Sequence, residues 1–193
     1  MSWEQMELFS DKDLGITPSI IGLTGYARSG KDTVAKFLIE DHGYTRIAFA
    51  DTIREFLLRI NPILMSGHRL GEHVKMYGWE ITKAQDEVRR LLQDTGMAAR
   101  QLFGEDFWIV QVLRKIGPTD KVVITDVRFK NEADIITMLN GQVWRVNRPE
   151  VGPINGHVSE SDMDVYTADH TIDNSGSISD LKDMVGKLLS THV

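Results

Sequence analysis

The residues best suited to chemistry lie in one stretch, Gly25-Tyr26-Ala27-Arg28-Ser29-Gly30-Lys31-Asp32-Thr33. An apolar run from Ser19 to Thr24 leads into it, and a helical pattern from Lys31 to Asp41 leads out. Strand, glycine-bounded loop, then helix with a lysine at the loop's end is the layout of a phosphate-binding P-loop. Gly25 and Gly30 lack a Cβ, so backbone can approach an anion closely. The N–H groups of the loop, from Gly25 through Ala27, Arg28 and Ser29 to Gly30, and the helix N-terminus can then face it. Lys31 would reach the β- and γ-phosphates. A plain turn joining strand to helix explains two glycines, but not the whole spacing with Gly-Lys and both flanking elements. The position after the lysine commonly holds Ser or Thr, whose hydroxyl binds Mg²⁺. Here it holds Asp32, followed by Thr33. Either Asp32 serves the metal, directly or through water, or Thr33 does, and both readings stay open.

A second group of chemical residues stands at strand and helix ends: Arg54, Arg89, Arg90, Arg100, Asp126, Arg128, Arg145 and Arg148. Phosphoryl transfer to a phosphorylated acceptor needs several cations to neutralise donor, transferred group and acceptor. For Arg89 and Arg145 a surface or salt-bridged side chain is the preferred reading. Lys121 to Thr125 is an apolar, β-branched run that fits a buried parallel strand. It ends in Asp126-Val127-Arg128, and the carboxyl ends of such strands border the ligand crevice of an open α/β sheet. The alternative for Asp126 is a cap on the helix that follows.

The elements that must position these groups alternate. The P-loop helix ends at Gly43. Tyr44 to Phe49 reads as a short strand, and a helix to about Ile60 follows with Asp51 as its N-cap. Asn61 to Thr82 is irregular and reads as a loop or short-helix insertion, with His68 and His73 as surface histidines. A helix is expected from a Thr82 cap to Thr95, stopped by Gly96, and another after Gly104-Glu105-Asp106 up to Gly117-Pro118. Helix Lys130 to Leu139 and strand Gln142 to Val146 come next. The polar stretch Glu150 to Ala168 reads as a loop able to fold over phosphates. Strand Asp169 to Ile172 and a closing helix, Ile178 to Leu189 with Ile178 on its buried face, complete the chain. This order predicts an α/β fold of three layers: a five-stranded parallel sheet with helices on both faces, in the manner of P-loop nucleotide kinases. Residues 19–193 form one domain, with an acceptor-binding insertion at about 51–95 and a lid-like loop at about 148–168. Residues 1–18 are a peripheral extension in which Trp3, Met6 and Phe9 could dock on the body.

Bulk properties narrow the function. The chain has 193 residues, 41% hydrophobic and 26% charged, as in soluble globular proteins. A net charge of −6 argues against nucleic acid as the primary partner. The absence of cysteine excludes disulfides, thiolate metal sites and cysteine nucleophiles. No apolar run reaches membrane-span length and the N-terminus has no signal-peptide pattern, which fits a cytoplasmic setting. A homodimer is neither required nor excluded. No Asn-Lys-x-Asp signature of guanine binding occurs.

Seven segments, in order, carry a resemblance: the P-loop, Val88-Arg-Arg-Leu-Leu-Gln93 with Gly96, Arg100 to Trp108, Asp126-Val-Arg-Phe-Lys-Asn-Glu132, Arg148-Pro149, His157-Val-Ser-Glu160 and Ile172-Asp-Asn-Ser-Gly176. Together the chain from Ile20 onward resembles the bacteriophage deoxynucleoside monophosphate kinases, where the Gly-Lys-Asp form of the loop is usual. The resemblance implies ATP-dependent transfer of a γ-phosphoryl group to a dNMP with Mg²⁺, in the host cytoplasm for a phage-encoded enzyme. It places Lys31 and the loop amides on the ATP phosphates. Arg54 of Asp51-x-x-Arg54 would hold the acceptor phosphate, and Arg90-x-x-Gln93 and Arg100 would hold acceptor phosphate and base. Asp126 would stand by Mg²⁺ or the acceptor, and Arg128 by the transferred group. Arg148 and His157 to Glu160 would form the lid, and Asn174 to Ser177 would border the adenine. Two rivals remain: a kinase of another phosphorylated metabolite, such as phosphomevalonate kinase of the animal type, and a nucleotide-binding module without catalysis.

Overall fold

A computed structural model describes residues 19–149, 151–152 and 162–190. The chain divides into two compact units, one of Met1–Ile47 with Arg114–Val193 and one of Ala48–Leu113.

The first unit is built on a sheet of five strands: β1 (Ser19–Thr24), β2 (Thr45–Ile47), β3 (Lys121–Ile124), β4 (Gln142–Asn147) and β5 (His170–Asp173). Their order is β2-β3-β1-β4-β5, and every pairing is parallel. The β-branched run of β3 lies inside the sheet between β2 and β1, where a strand covered on both faces must be apolar throughout. Helices α1 (Lys31–His42), α6 (Lys130–Met138) and α7 (Ile178–Ser190) cover it. Alternation along β1 assigns the faces. Ile21 and Leu23 join Val34, Phe37 and Leu38 of α1, Trp144 and Val146 of β4, and Leu181 and Val185 of α7 in one core. Gly22 points the other way, and a Cβ there would press on Ile136 of α6. This is the P-loop kinase fold, helices on both faces of a parallel sheet. Within α7, Ile178 is 71% exposed rather than buried, because the helix begins there and its apolar stripe starts at Leu181.

The second unit is helical: α2 (Phe49–Ile60), α3 (Leu70–Lys83), α4 (Asp86–Phe103) and α5 (Phe107–Leu113). Leu57, Leu64, Leu70 and Val88 form its core. Several expectations fail here. The irregular stretch contains a full helix, α3, broken at Gly78 by a positive φ of 76°. Thr82 lies in the last turn of α3, and α4 starts only at Asp86. Gly96 does not stop α4, which continues to Phe103. It is buried, the place its Cβ would occupy is 3.3 Å from Ile53 Cδ1, and its carbonyl accepts the Trp108 indole N–H at 3.0 Å. Glycine here serves close packing inside a helix. His73 is buried at 5% exposure, not on the surface. Thr82 Oγ1 donates to Gly78 O at 2.7 Å, so His73 Nδ1, 3.0 Å away, donates to Thr82, and Nε2 accepts from Gln85 Nε2 at 2.9 Å. α2 begins at Phe49 with Ala48 at the N-cap, so Asp51 is a residue of the first turn and not the N-cap.

Candidate active site

Thr24 ends β1 and Gly25 turns the chain into the loop. Gly25 has φ +134° and Gly30 has φ +107°. Side chains at these positions would collide with Val146 O and with the Asn174 amide respectively. Both glycines are therefore required by close approach as well as by backbone conformation. Asn174 Nδ2 donates to Ser29 O at 2.8 Å, and its backbone N–H bonds Asn147 O at 2.7 Å. That amide fastens the loop from the β5 side. Gly30 is the N-cap of α1 and supplies no capping side chain, which leaves the helix N-terminus open toward an anion. Lys31 Nζ folds back onto Gly25 O and Tyr26 O, both at 2.7 Å. Asp32 is exposed in the first turn of α1 and Thr33 is half-buried. Ser29 Oγ is buried with no hydrogen-bond partner among the described residues.

The neighbouring strand ends bring in the rest. Val127 N–H bonds Leu23 O at 3.1 Å and holds the end of β3 against β1. Glu132, 4% exposed, accepts the N–H groups of Arg128 (2.8 Å) and Phe129 (3.1 Å). A glutamate three residues inside the helix thus holds the start of α6. Asp126 is half-buried and Arg128 exposed. Gly25, Lys31, Asp126, Arg128, Arg145 and Asp164 line one cleft at the carboxyl end of the sheet, with Tyr26, Ala27 and Asn147 beside them.

Residues 162–166, inside the expected lid-like loop, are tied down at this cleft. Tyr26 O–H donates to Asp164 Oδ1 at 2.8 Å. Arg145 Nη2 donates to Met163 O and Tyr166 O, and Lys130 N–H to Asp162 Oδ2 at 2.8 Å. The hydrogen bond to Asp164, with a smaller contribution from burial, raises the Tyr26 pKa above the ordinary tyrosine value.

The other predicted residues fall as follows. Arg148 is exposed just beyond β4. Ser177 starts α7, where its N–H and hydroxyl both donate to Asp180 Oδ2 at 2.8 Å and hold that carboxyl below the usual carboxylate range. His157 to Glu160 of the lid and Trp3, Met6 and Phe9 of the extension lie outside the described residues. Asp51, Arg54, Arg90, Gln93 and Arg100 all belong to the helical unit. Arg54 Nη1 bonds Asp51 Oδ1 at 2.9 Å, its guanidinium lies 5.5 Å from the Trp79 ring centroid, and its Nε is buried with no partner among the described residues. Arg90 is exposed on α4, and Gln93 and Arg100 are half-buried. The sequence reading missed Tyr26, Glu132 and Asp164 and gave Arg145 no role. Arg145 carried a signal, a charged position alternating with the buried Trp144 and Val146.

Among the described residues no three His, Asp or Glu side chains cluster as a metal cage. Asp32, Thr33 and Asp126 offer hard oxygen donors. That suits Mg²⁺, which keeps several waters and binds through one or two carboxylates plus substrate phosphates.

A family model described as deoxynucleotide monophosphate kinase matches residues 59–185. A protein of Acanthamoeba polyphaga mimivirus, provisionally named a deoxynucleotide monophosphate kinase, is 29% identical over 166 residues, 75% of this chain and 81% of its own length. A dephospho-CoA kinase of Borreliella burgdorferi is 34% identical over 79 residues, 41% of this chain and 34% of that protein. Among solved structures, a dephospho-CoA kinase from Campylobacter jejuni aligns over 90% of this chain and 97% of its own at 15% identity, with a TM-score of 0.47.

Proposed function

The chain belongs to the deoxynucleotide monophosphate kinase family, and from that membership we propose that it transfers the γ-phosphoryl group of ATP to a deoxynucleoside 5′-monophosphate, giving the diphosphate and ADP. One observation carries the reading: Gly25, Tyr26 and Ala27 of the loop border a single cleft at the carboxyl end of the sheet together with Lys31, Asp126 and Arg128. The loop N–H groups and the open end of α1 bind the donor phosphates. Lys31 exchanges the Gly25 and Tyr26 carbonyls for the β- and γ-phosphates, and Arg128 offsets charge that develops on the transferred group. Glu132 holds the Arg128 backbone while it does so. Arg148 closes on the phosphates from beyond β4. Asp126, with Asp32 or Thr33, would hold Mg²⁺, which would supply charge neutralisation at the phosphates when bound. The acceptor phosphate is taken by Arg54, oriented by Asp51, and the rest of the acceptor by Arg90, Gln93 and Arg100. Asn174 and Ser177 border the adenine.

The test is acceptor-dependent ADP release over a panel of dNMPs, NMPs and phosphomevalonate. Turnover with one or more dNMPs is expected. Turnover with phosphomevalonate alone would move the chain to the rival metabolite kinase. Tight ATP binding with no acceptor-dependent transfer would make it a binding module.

A further inference from the structure

Arg145 stands on β4 in register with Thr24, the last residue of β1 before the phosphate loop. Its neighbours along the strand, Trp144 and Val146, are fully buried toward α1 and α7, so Arg145 projects from the opposite face. Two of its five N–H donors are committed. Nη2 bonds Met163 O at 2.6 Å and Tyr166 O at 2.8 Å. Both acceptors are neutral carbonyls, so they fix the guanidinium in place without neutralising it, and the carboxylates that share its cleft are Asp126 and Asp164, the latter accepting the Tyr26 hydroxyl. No acidic side chain forms an ion pair with Arg145 among the described residues, and its Nε and Nη1 donors have no acceptor there. The side chain borders the same cleft as Gly25, Lys31 and Arg128. A planar guanidinium with one edge tied and the other open is suited to a phosphate, which accepts two parallel N–H bonds. Preorganisation by backbone carbonyls removes much of the side-chain entropy that an arginine otherwise loses on binding.

We propose that Arg145 is a phosphate-binding residue for the triphosphate donor, held ready by the Met163 and Tyr166 carbonyls. This rests on the reading that the cleft takes nucleotide phosphates and adds to it a cation that the sequence left as a surface side chain. It also gives the 162–166 segment a task, since that segment sets the direction in which the guanidinium points.

Calorimetric titration of the full chain with inorganic tripolyphosphate, and separately with ATP, tests the assignment without any acceptor. In Arg145→Ala both affinities should fall about 10- to 100-fold and by similar factors, as for loss of a charge-assisted contact. Arg145→Lys should recover part of the loss, because it keeps the charge but not the fork. Arg59→Ala removes an exposed arginine paired with Glu55 and should change either affinity by less than about twofold. Melting temperatures report separately on the Met163 and Tyr166 bonds. Should Arg145→Ala fail to fold, Arg145→Gln carries the test, being neutral yet able to donate to a carbonyl, and the same weakening is expected. Unchanged tripolyphosphate affinity in the neutral variant, or equal weakening in Arg59→Ala, would overturn the assignment and leave Arg145 as a strut. Wild-type protein that binds tripolyphosphate but transfers nothing to a dNMP would instead refute the functional reading and leave this one intact.

Discussion

The sheet unit and the helical unit hold their chemical groups in different ways. In the sheet unit the groups sit where strands end. Gly25, Asp126 and Arg145 reach one cleft because β1, β3 and β4 are parallel neighbours, and parallel strands end on the same side. In the helical unit Arg54, Arg90, Gln93 and Arg100 ride on helix faces, where the direction of each side chain depends on where its helix starts and how it rotates. Strand order alone brings the first set together; the second set depends on packing details as fine as a buried glycine. Perturbation should therefore act locally and chemically in the sheet unit, and through helix packing in the helical one.

The largest effect should come from the sheet unit. Lys31→Ala should lower kcat/KM on the order of 10³-fold while leaving the melting temperature nearly unchanged, because it removes a cation aimed at the phosphates and no core contact. Arg54→Ala is the counterpart in the helical unit. It should raise the KM for dNMP by roughly thirtyfold, about 2 kcal/mol, with a smaller change in kcat; an unchanged KM would remove Arg54 from the acceptor site. Gly96→Leu probes packing, since the added side chain meets Ile53, and should destabilise the protein by about 1–3 kcal/mol in urea unfolding. Asp32→Asn should raise the Mg²⁺ concentration for half-maximal activity several-fold if the carboxylate serves the metal, and a flat response would hand that role to Thr33. The smallest effect is spectroscopic. A raised folded pKa means that the Tyr26–Asp164 bond stabilises the protein below the ordinary tyrosine pKa and is lost as the pH rises through the folded value. Absorbance titration should show Tyr26 ionising above the ordinary tyrosine value, and Asp164→Asn should abolish that lag.

Legibility in the sequence follows the same division. The P-loop, the apolar β-branched run of β3 and the alternation of strands and helices were readable because each is a local pattern with one structural outcome. The five-stranded parallel sheet follows from them. In the helical unit the same letters had two meanings. Gly96 reads as a helix stop, yet it is the contact that lets α4 pack beside Ile53. Asp51 reads as the N-cap, yet it lies in the first turn of α2, where its carboxylate accepts from Arg54. His73 has the composition of a surface residue, but Thr82 and Gln85 satisfy both ring nitrogens and allow it to be buried. For a related reason the sequence reads Arg145 only as a surface or salt-bridged side chain. Its partners are the backbone carbonyls of Met163 and Tyr166, and no residue type announces a carbonyl.

The central claim is that this chain moves a phosphoryl group between nucleotides. It is tested most directly by incubating the protein with γ-labelled ATP, Mg²⁺ and each dNMP in turn, and separating the products. The account predicts label at the β-phosphate of a dNDP in amounts equal to the ADP formed, with none formed by Lys31→Ala. Label released only as inorganic phosphate, or retained in ATP with every dNMP, would contradict it.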